Sequence, residues 1–293
     1  MRAMFASILH DLMQTNKRIV LLLAGVGGFA MRRIFADFPE RAYNLGICEQ
    51  AIIGTAAGLA KEGFIPIVYG IAPFLVERCY EQIKVDIGYN ASKILLVTVG
   101  GSYDYSHEGP THHCPADVAI LYQVPGLNIL TPGTSSEMAW LLREAIETET
   151  LPCYLRLSER INKHNYPARI GNAVLVHHKF KQGRRVVIAV GPALKNTLEA
   201  IEHDATVVYL TSVRPLDREV LKAQIKSASH ALLVEPYYPL LANEIIGLLG
   251  GAKFKSIGVL REFAEYGTRE ELDERFGLDA AGIRAAFEEL CSE

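Results

Sequence analysis

The stretch Tyr43-Asn44-Leu45-Gly46-Ile47-Cys48-Glu49-Gln50 decides how the rest of the chain is read. A strand-like run ends at Gly46, and a carboxylate appears just as the pattern turns helical. The residues that follow, Ala51 to Ala60, are nearly all apolar and mostly small. Small residues at Gly54, Ala57 and Gly58 let a second helix come close, so this helix is expected to be buried. An acid at the mouth of a buried helix needs a partner or a purpose, because an unpaired buried charge is costly. One reading is a plain helix-entry acid, favoured there by the helix dipole. The other is a functional carboxylate.

Working outward, the pattern is that of an α/β protein. Apolar spacing predicts a helix over 4–15. Arg18 to Ala24 reads as a buried parallel strand, followed by the glycine turn Gly25, Gly27, Gly28. That turn lacks the third glycine of a dinucleotide fingerprint. A helix over 31–37, a strand over 41–45, the Glu49 helix and a strand over 65–69 come next. One helix is predicted over 75–89, with Arg78 and Gln82 a turn apart on one face. Strands follow at 94–99, 125–130 and 153–157, and a helix over 135–147 is capped by Ser135 or Ser136. Residues 102–117 read as a polar loop. Glu159 to Gly171 breaks the alternation. It resumes with strands at 186–190, 207–210, 231–234 and 254–259 and helices near 193–202, 217–227, 239–249 and 279–291. This predicts two domains, 1–160 and 181–293, with a linker over 161–180. Each domain is a mainly parallel sheet flanked by helices.

Composition narrows the function classes. The 293 residues carry a formal net charge of −3, and the basic residues are scattered, which excludes a nucleic-acid footprint. Five cysteines without a Cys-x-x-Cys pair argue against a disulfide framework and suit a reducing compartment. The uncharged run Ile19 to Met31 is too short for a bilayer span. The first residues lack the features of a signal peptide. A cytoplasmic protein is expected.

Several motifs recur in order: Arg41...Asn44-x-Gly46-Ile47-x-Glu49-Gln50, then Ala57-Gly58-Leu59-Ala60 and Gly63, then Arg78...Gln82, then Gly109-Pro110-Thr111-His112-His113. Together they resemble the pyrimidine-binding half of transketolases, which use thiamine diphosphate. The resemblance covers residues 35–165 well and the remainder more loosely, as the family's C-terminal domain. It implies a pyrimidine-binding domain followed by a transketolase C-terminal-like domain. It also implies that Glu49 is the carboxyl group that hydrogen-bonds the cofactor's aminopyrimidine, retaining or sharing a proton with the ring. Phe74, with Tyr69 in reserve, is the implied aromatic stacked on that ring. His112 matches the histidine that faces the sugar hydroxyls, where an imidazole can shuttle protons. Glu108 stands where the family usually has aspartate. His107, His113 and Arg160 are further candidates for substrate contacts.

What is missing matters as much. The family holds the diphosphate through Mg²⁺ with a Gly-Asp-Gly motif, and this sequence has none. The chain corresponds to the later half of a transketolase. A split enzyme is expected: a partner chain with the Gly-Asp-Gly motif brings the magnesium ligands, and the two form a heterotetramer around a homodimer. The positions where the family grips phosphate read Gly28, Gly100 and Glu159, which implies a sugar substrate not held as an ordinary short sugar phosphate. Alternative readings are the β subunit of a 2-oxoacid dehydrogenase, a deoxyxylulose-phosphate-synthase-like enzyme, or a non-catalytic partner subunit.

Overall fold

The computed structural model describes residues 1–177, 185–201 and 204–292. In chain order the elements are α1 (Arg2–Thr15), β1 (Ile19–Leu23), α2 (Gly28–Asp37), β2 (Ala42–Asn44), α3 (Glu49–Lys61) and β3 (Ile65–Ile71). A π-helical turn (Pro73–Glu77), the short α4 (Tyr80–Gln82) and a second π-helical stretch (Ile83–Tyr89) lead to β4 (Leu95–Val99). A 3-10 turn (Ser106–Thr111), α5 (Asp117–Tyr122), β5 (Asn128–Leu130), α6 (Ser135–Glu147) and β6 (Cys153–Arg156) follow. The later part holds β7 (Ala173–His177), β8 (Arg185–Val190), α7 (Leu194–Ile201), β9 (Thr206–Leu210), β10 (Ser212–Arg214), α8 (Arg218–Ile225) and β11 (His230–Glu235). It closes with α9 (Ala242–Ile246), β12 (Lys253–Gly258), α10 (Arg269–Arg275) and α11 (Ala280–Ser292).

Among the described residues the strands form two sheets, ordered β10-β5-β6-β4-β3-β1-β2 and β12-β11-β8-β9-β7. All pairings are parallel except β10 with β5 and β7 with β9. The expected α/β architecture is therefore present twice. β1 is buried at every position, as a central parallel strand covered on both faces must be. β3 beside it and β4 beyond are largely apolar and buried, and the core runs along them into helices α1, α3 and α6.

Several details differ from the reading of the sequence. The stretch 161–180 contains β7, which completes the second sheet; residues 178–184 lie outside the described residues. Residues 212–214 add an antiparallel strand to the first sheet. One buried apolar cluster includes Leu22, Ile53 and Tyr154 of the first sheet's layers and Ile188, Val208 and Leu233 of the second. The two sheets thus share a core. Helix α6 is capped by Thr134, not by Ser135 or Ser136. The Thr134 hydroxyl accepts the Glu137 N–H at 3.2 Å, and the Glu137 carboxylate accepts the Thr134 N–H at 3.1 Å. That reciprocal pair needs an acid three residues on, which position 134 has.

The strands β2, β1, β3 and β4 are adjacent and parallel, so their C-terminal ends point the same way. The segments after them, 24–28, 45–48, 72–78 and 100–113, gather on one edge. Crevices beyond the carboxyl ends of parallel strands are where open α/β sheets place ligands.

Candidate active site

Glu49 opens α3 and is only 2% exposed. Local chemistry sets its entry. Gly46 turns the chain with φ +78°, which a side chain would resist. The Asn44 carboxamide oxygen accepts the N–H groups of Gly25 and Gly46, both at 3.2 Å. This ties the loop after β1 to the loop after β2. The chain then enters α3 with Glu49 turned inward.

The Glu49 carboxylate is not alone. Arg78 Nη1 donates to its Oε2 at 2.9 Å. The adjacent Gln50 side chain donates to the Arg78 carbonyl at 3.3 Å. Both members of the Glu49-Gln50 pair therefore hold the same residue. The sequence alone gives Arg78 no site role; the structure puts it on the key carboxylate. The sequence signals for it are its place in the Arg78...Gln82 motif and the general need of a buried acid for a cation. The predicted single helix over 75–89 is broken where this happens. Arg78 and Cys79 form a turn between the π-helical stretch and α4, and π segments inside helices frequently mark functional positions.

The Arg78 guanidinium lies 4.5 Å from the centre of the Phe74 ring. Phe74 is half-buried and meets His112 edge-on, centroids 5.2 Å apart at 73°. Tyr105 also meets His112 edge-on, centroids 6.2 Å apart at 81°. His112 Nδ1 is 3.0 Å from the Thr111 hydroxyl. Three candidates, Glu49, Phe74 and His112, are thus brought together through Arg78. Tyr69 is placed elsewhere. It is 1% exposed, stacked on Phe5 at 5.7 Å, and burial pushes its phenol up to about 12. It presents no face to a ligand, whereas Phe74 does.

The remaining candidates divide. His107 and Glu108 are exposed on the 3-10 turn. His113 is buried, its Nε2 3.3 Å from the Ser106 carbonyl, and burial pulls its pKa below the usual histidine value. Arg160 is bonded to Asp273 and lies over the Tyr103 ring. Asp273 also accepts the Tyr103 hydroxyl at 2.5 Å. This corrects the expectation of a substrate-facing Arg160: its guanidinium is committed to the contact between the two sheets.

The altered positions also acquire neighbours. A Cβ on Gly100, whose φ is +75°, would come within 2.4 Å of the Tyr105 ring, so Tyr105 fills the space of any side chain there. Gly28 has nothing within 4 Å of its Cβ direction. Glu159 pairs with Arg2 at 2.6 Å and Arg269 at 3.4 Å, and Arg2 also donates to the Tyr105 hydroxyl at 2.5 Å. The Glu159 carboxylate is therefore paired with two arginines. Arg2 lies far from these residues in sequence, and no local pattern announces it.

Among the described residues no group of three or more His, Cys, Asp or Glu is arranged to hold a metal ion, and no helix is long and apolar enough to cross a membrane. The site does fit the pyrimidine end of thiamine diphosphate. It offers a buried carboxylate and a half-buried aromatic face, both in contact with Arg78, whose side chain is 40% exposed.

The fold is that of a two-sheet α/β protein with its candidate site beyond the carboxyl ends of parallel strands. Residues 1–163 match the family model "Transketolase, pyrimidine binding domain". The chain belongs to the transketolase family. It is 34% identical over 287 residues to an uncharacterized 33.6 kDa protein in the fasciation locus of Rhodococcoides fascians, covering 95% of this chain and 91% of that one. It is 29% identical to an apulose-4-phosphate transketolase subunit of Actinobacillus succinogenes, covering 84% of each chain. It is 28% identical to 1-deoxy-D-xylulose-5-phosphate synthase of Syntrophus aciditrophicus, over 98% of this chain. It spans only 46% of that synthase. In fold it is similar to a split-gene transketolase solved as an inactive β4 tetramer, with a TM-score of 0.83 at 24% identity and 99% and 98% coverage.

Proposed function

We propose that this chain is the pyrimidine-binding subunit of a split transketolase, moving a two-carbon ketol unit between sugars or sugar phosphates. It needs a partner chain carrying a Gly-Asp-Gly motif to supply the magnesium and diphosphate site. The carrying observation is the convergence of Glu49, Phe74 and His112 at the carboxyl ends of adjacent parallel strands. When bound, thiamine diphosphate supplies the stabilisation of the carbanion that such transfer requires. The protein's residues do the rest. Glu49 holds a proton at a pyrimidine nitrogen once Arg78 has moved aside. Phe74 orients the ring and excludes water from one face. His112, braced through Nδ1 by Thr111, has Nε2 to exchange a proton with a substrate oxygen. His107 and Glu108 are the candidates to meet hydroxyls of the sugar, and the oxygen ligands for the magnesium come from the partner. The assembly is a homodimer of this chain within a heterotetramer, in the cytoplasm.

The test is reconstitution with the partner chain and assay of ketol transfer from a ketose. His112→Ala should lower kcat about 10²-fold or more, the usual worth of a general acid–base. Full activity in that variant would overturn the role of His112. The synthase relatives favour a second reading, decarboxylation of a 2-oxoacid followed by condensation. Carbon dioxide release from pyruvate by the reconstituted enzyme, without ketol transfer, would decide for it.

A further inference from the structure

The loop that carries His112 is held from outside its own sheet. Within it, Gly109 adopts φ 70° and ψ −161°, a region that essentially only glycine occupies. Its carbonyl accepts the N–H of His112 at 3.0 Å and of His113 at 3.1 Å. The kink at Gly109 therefore sets the direction of both histidines.

A segment of the second half of the chain, between β12 and α10, presses on this kink. A Cβ at position 109 would lie 2.6 Å from Cε1 of Tyr266. The edge of the Tyr266 ring thus takes the space that any other residue would need. The next residue, Gly267, donates its N–H to the Ser106 carbonyl at 3.3 Å. Arg269 donates to the Asp104 carbonyl at 3.2 Å and pairs with Glu159. Three contacts, at 104, 106 and 109, fasten one side of the loop. Tyr266 is nonetheless 72% exposed. Burial of apolar surface does not explain an aromatic ring kept there, but a seat for the kink does.

We propose that Tyr266 is a positioning residue: its ring fixes the Gly109 kink and so the aim of the His112 imidazole. Calling that aim catalytic rests on the function proposed above; the seating of the loop does not. The second sheet's domain then acts on the active site mechanically, without touching a reactant.

Hydrogen exchange of the full-length chain, read by mass spectrometry over residues 104–113, tests the seating directly. In Tyr266→Ala, exchange there should quicken about tenfold, as local opening becomes easier. Tyr266→Phe keeps the ring and should restore the wild-type rate. Phe263→Ser, in the same segment and 86% exposed, should leave it unchanged. Gly109→Ala, which drives a methyl into the ring, should behave as Tyr266→Ala does. In the enzyme reconstituted with its partner, Tyr266→Ala should lower kcat about tenfold with KM for thiamine diphosphate unchanged, and Tyr266→Phe should recover it. Wild-type exchange in Tyr266→Ala, or a loss that Tyr266→Phe does not repair, would overturn the proposal. His112→Ala in the same assay judges the catalytic reading separately, so the failure of one is not mistaken for the failure of the other.

Discussion

Glu49 is a buried acid paired with a half-exposed arginine, and that asymmetry defines its chemistry. A full charge at 2% exposure is tolerable because Arg78 neutralises it. Arg78 itself is 40% exposed, so one side of the pair faces solvent. Glu49→Gln in the assembled enzyme should slow proton exchange at the cofactor's thiazolium carbon by about 10² or more. An unchanged exchange rate, in a folded variant loaded with cofactor, would remove Glu49 from the mechanism. A second buried acid answers to pH instead. Glu235 is fully buried and accepts the N–H groups of Leu240 and Leu241. Burial raises its pKa from 4.5 to about 7. Between those values the unfolded chain has released a proton that the folded chain keeps. Its contribution is thus present below pH 4.5 and lost as pH rises to about 7, on the order of 3 kcal/mol in all. Glu235→Gln keeps an oxygen for the same N–H groups and does not titrate. Urea unfolding at pH 5 and pH 8 should therefore differ less in this variant than in the wild type. An equal difference in both would show that burial does not raise the Glu235 pKa in the folded chain.

At the level of elements, the segments that depart from simple periodicity do the positioning. The chain from Pro73 to Tyr89 carries helical apolar spacing, but it is π-helical on both sides of the Arg78–Cys79 turn. Gln50 takes the Arg78 carbonyl there, so a neighbouring element supplies the partner that regular helix would have supplied. Helix α6 shows the opposite case, an ordinary helix with its start fixed by the Thr134–Glu137 capping box. Glu137 also accepts the Tyr209 hydroxyl at 2.7 Å, which ties α6 to the second sheet. Thr134→Ala should cost about 1 kcal/mol, as loss of a cap does, measurable as a lower urea midpoint at an unchanged slope. No shift in the midpoint would mean that Glu137 alone holds this end.

At the scale of the whole molecule, large apolar side chains stand open near the site. Phe29, Ile47 and Tyr89 are 82%, 79% and 87% exposed. The first two border the loops after β1 and β2. Large apolar side chains left open beside a site suit a surface that a partner covers. The isolated chain should bind thiamine diphosphate poorly and be inactive, even with Mg²⁺; micromolar binding by calorimetry together with turnover would sink the split-enzyme proposal. The substrate prediction belongs to this scale too. Gly28 offers no donor, Tyr105 occupies the space at Gly100, and Arg2 is spent on Glu159. A charge-assisted hydrogen bond is worth about 1.5–3 kcal/mol, so an ordinary sugar phosphate gripped at these positions should bind weakly. A modified sugar, a sugar nucleotide or a longer phosphate with another anchor suits the pocket better. Transfer between xylulose 5-phosphate and ribose 5-phosphate with kcat/KM of about 10⁴ M⁻¹s⁻¹ or above would show otherwise.

The sequence by itself determined most of the strands and helices, because buried parallel strands such as Ile19–Leu23 and the run 186–190 are continuous apolar stretches; β7 and β10 were not among them. It marked Glu49 as an acid at the entry of a buried helix, and the resemblance to transketolases implied Phe74 and His112 as candidates. Only the tertiary structure decided which of these meet. Arg78 reaches Glu49 because a helix breaks, and Tyr69 falls into the core because Phe5 covers it. Arg160 is withdrawn by Asp273, more than a hundred residues later. The edge strand Ser212–Arg214 and the Tyr266 contact on Gly109 arise the same way. Each joins segments distant in the chain, and such contacts are set by how the sheets stack, a property that local spacing does not carry.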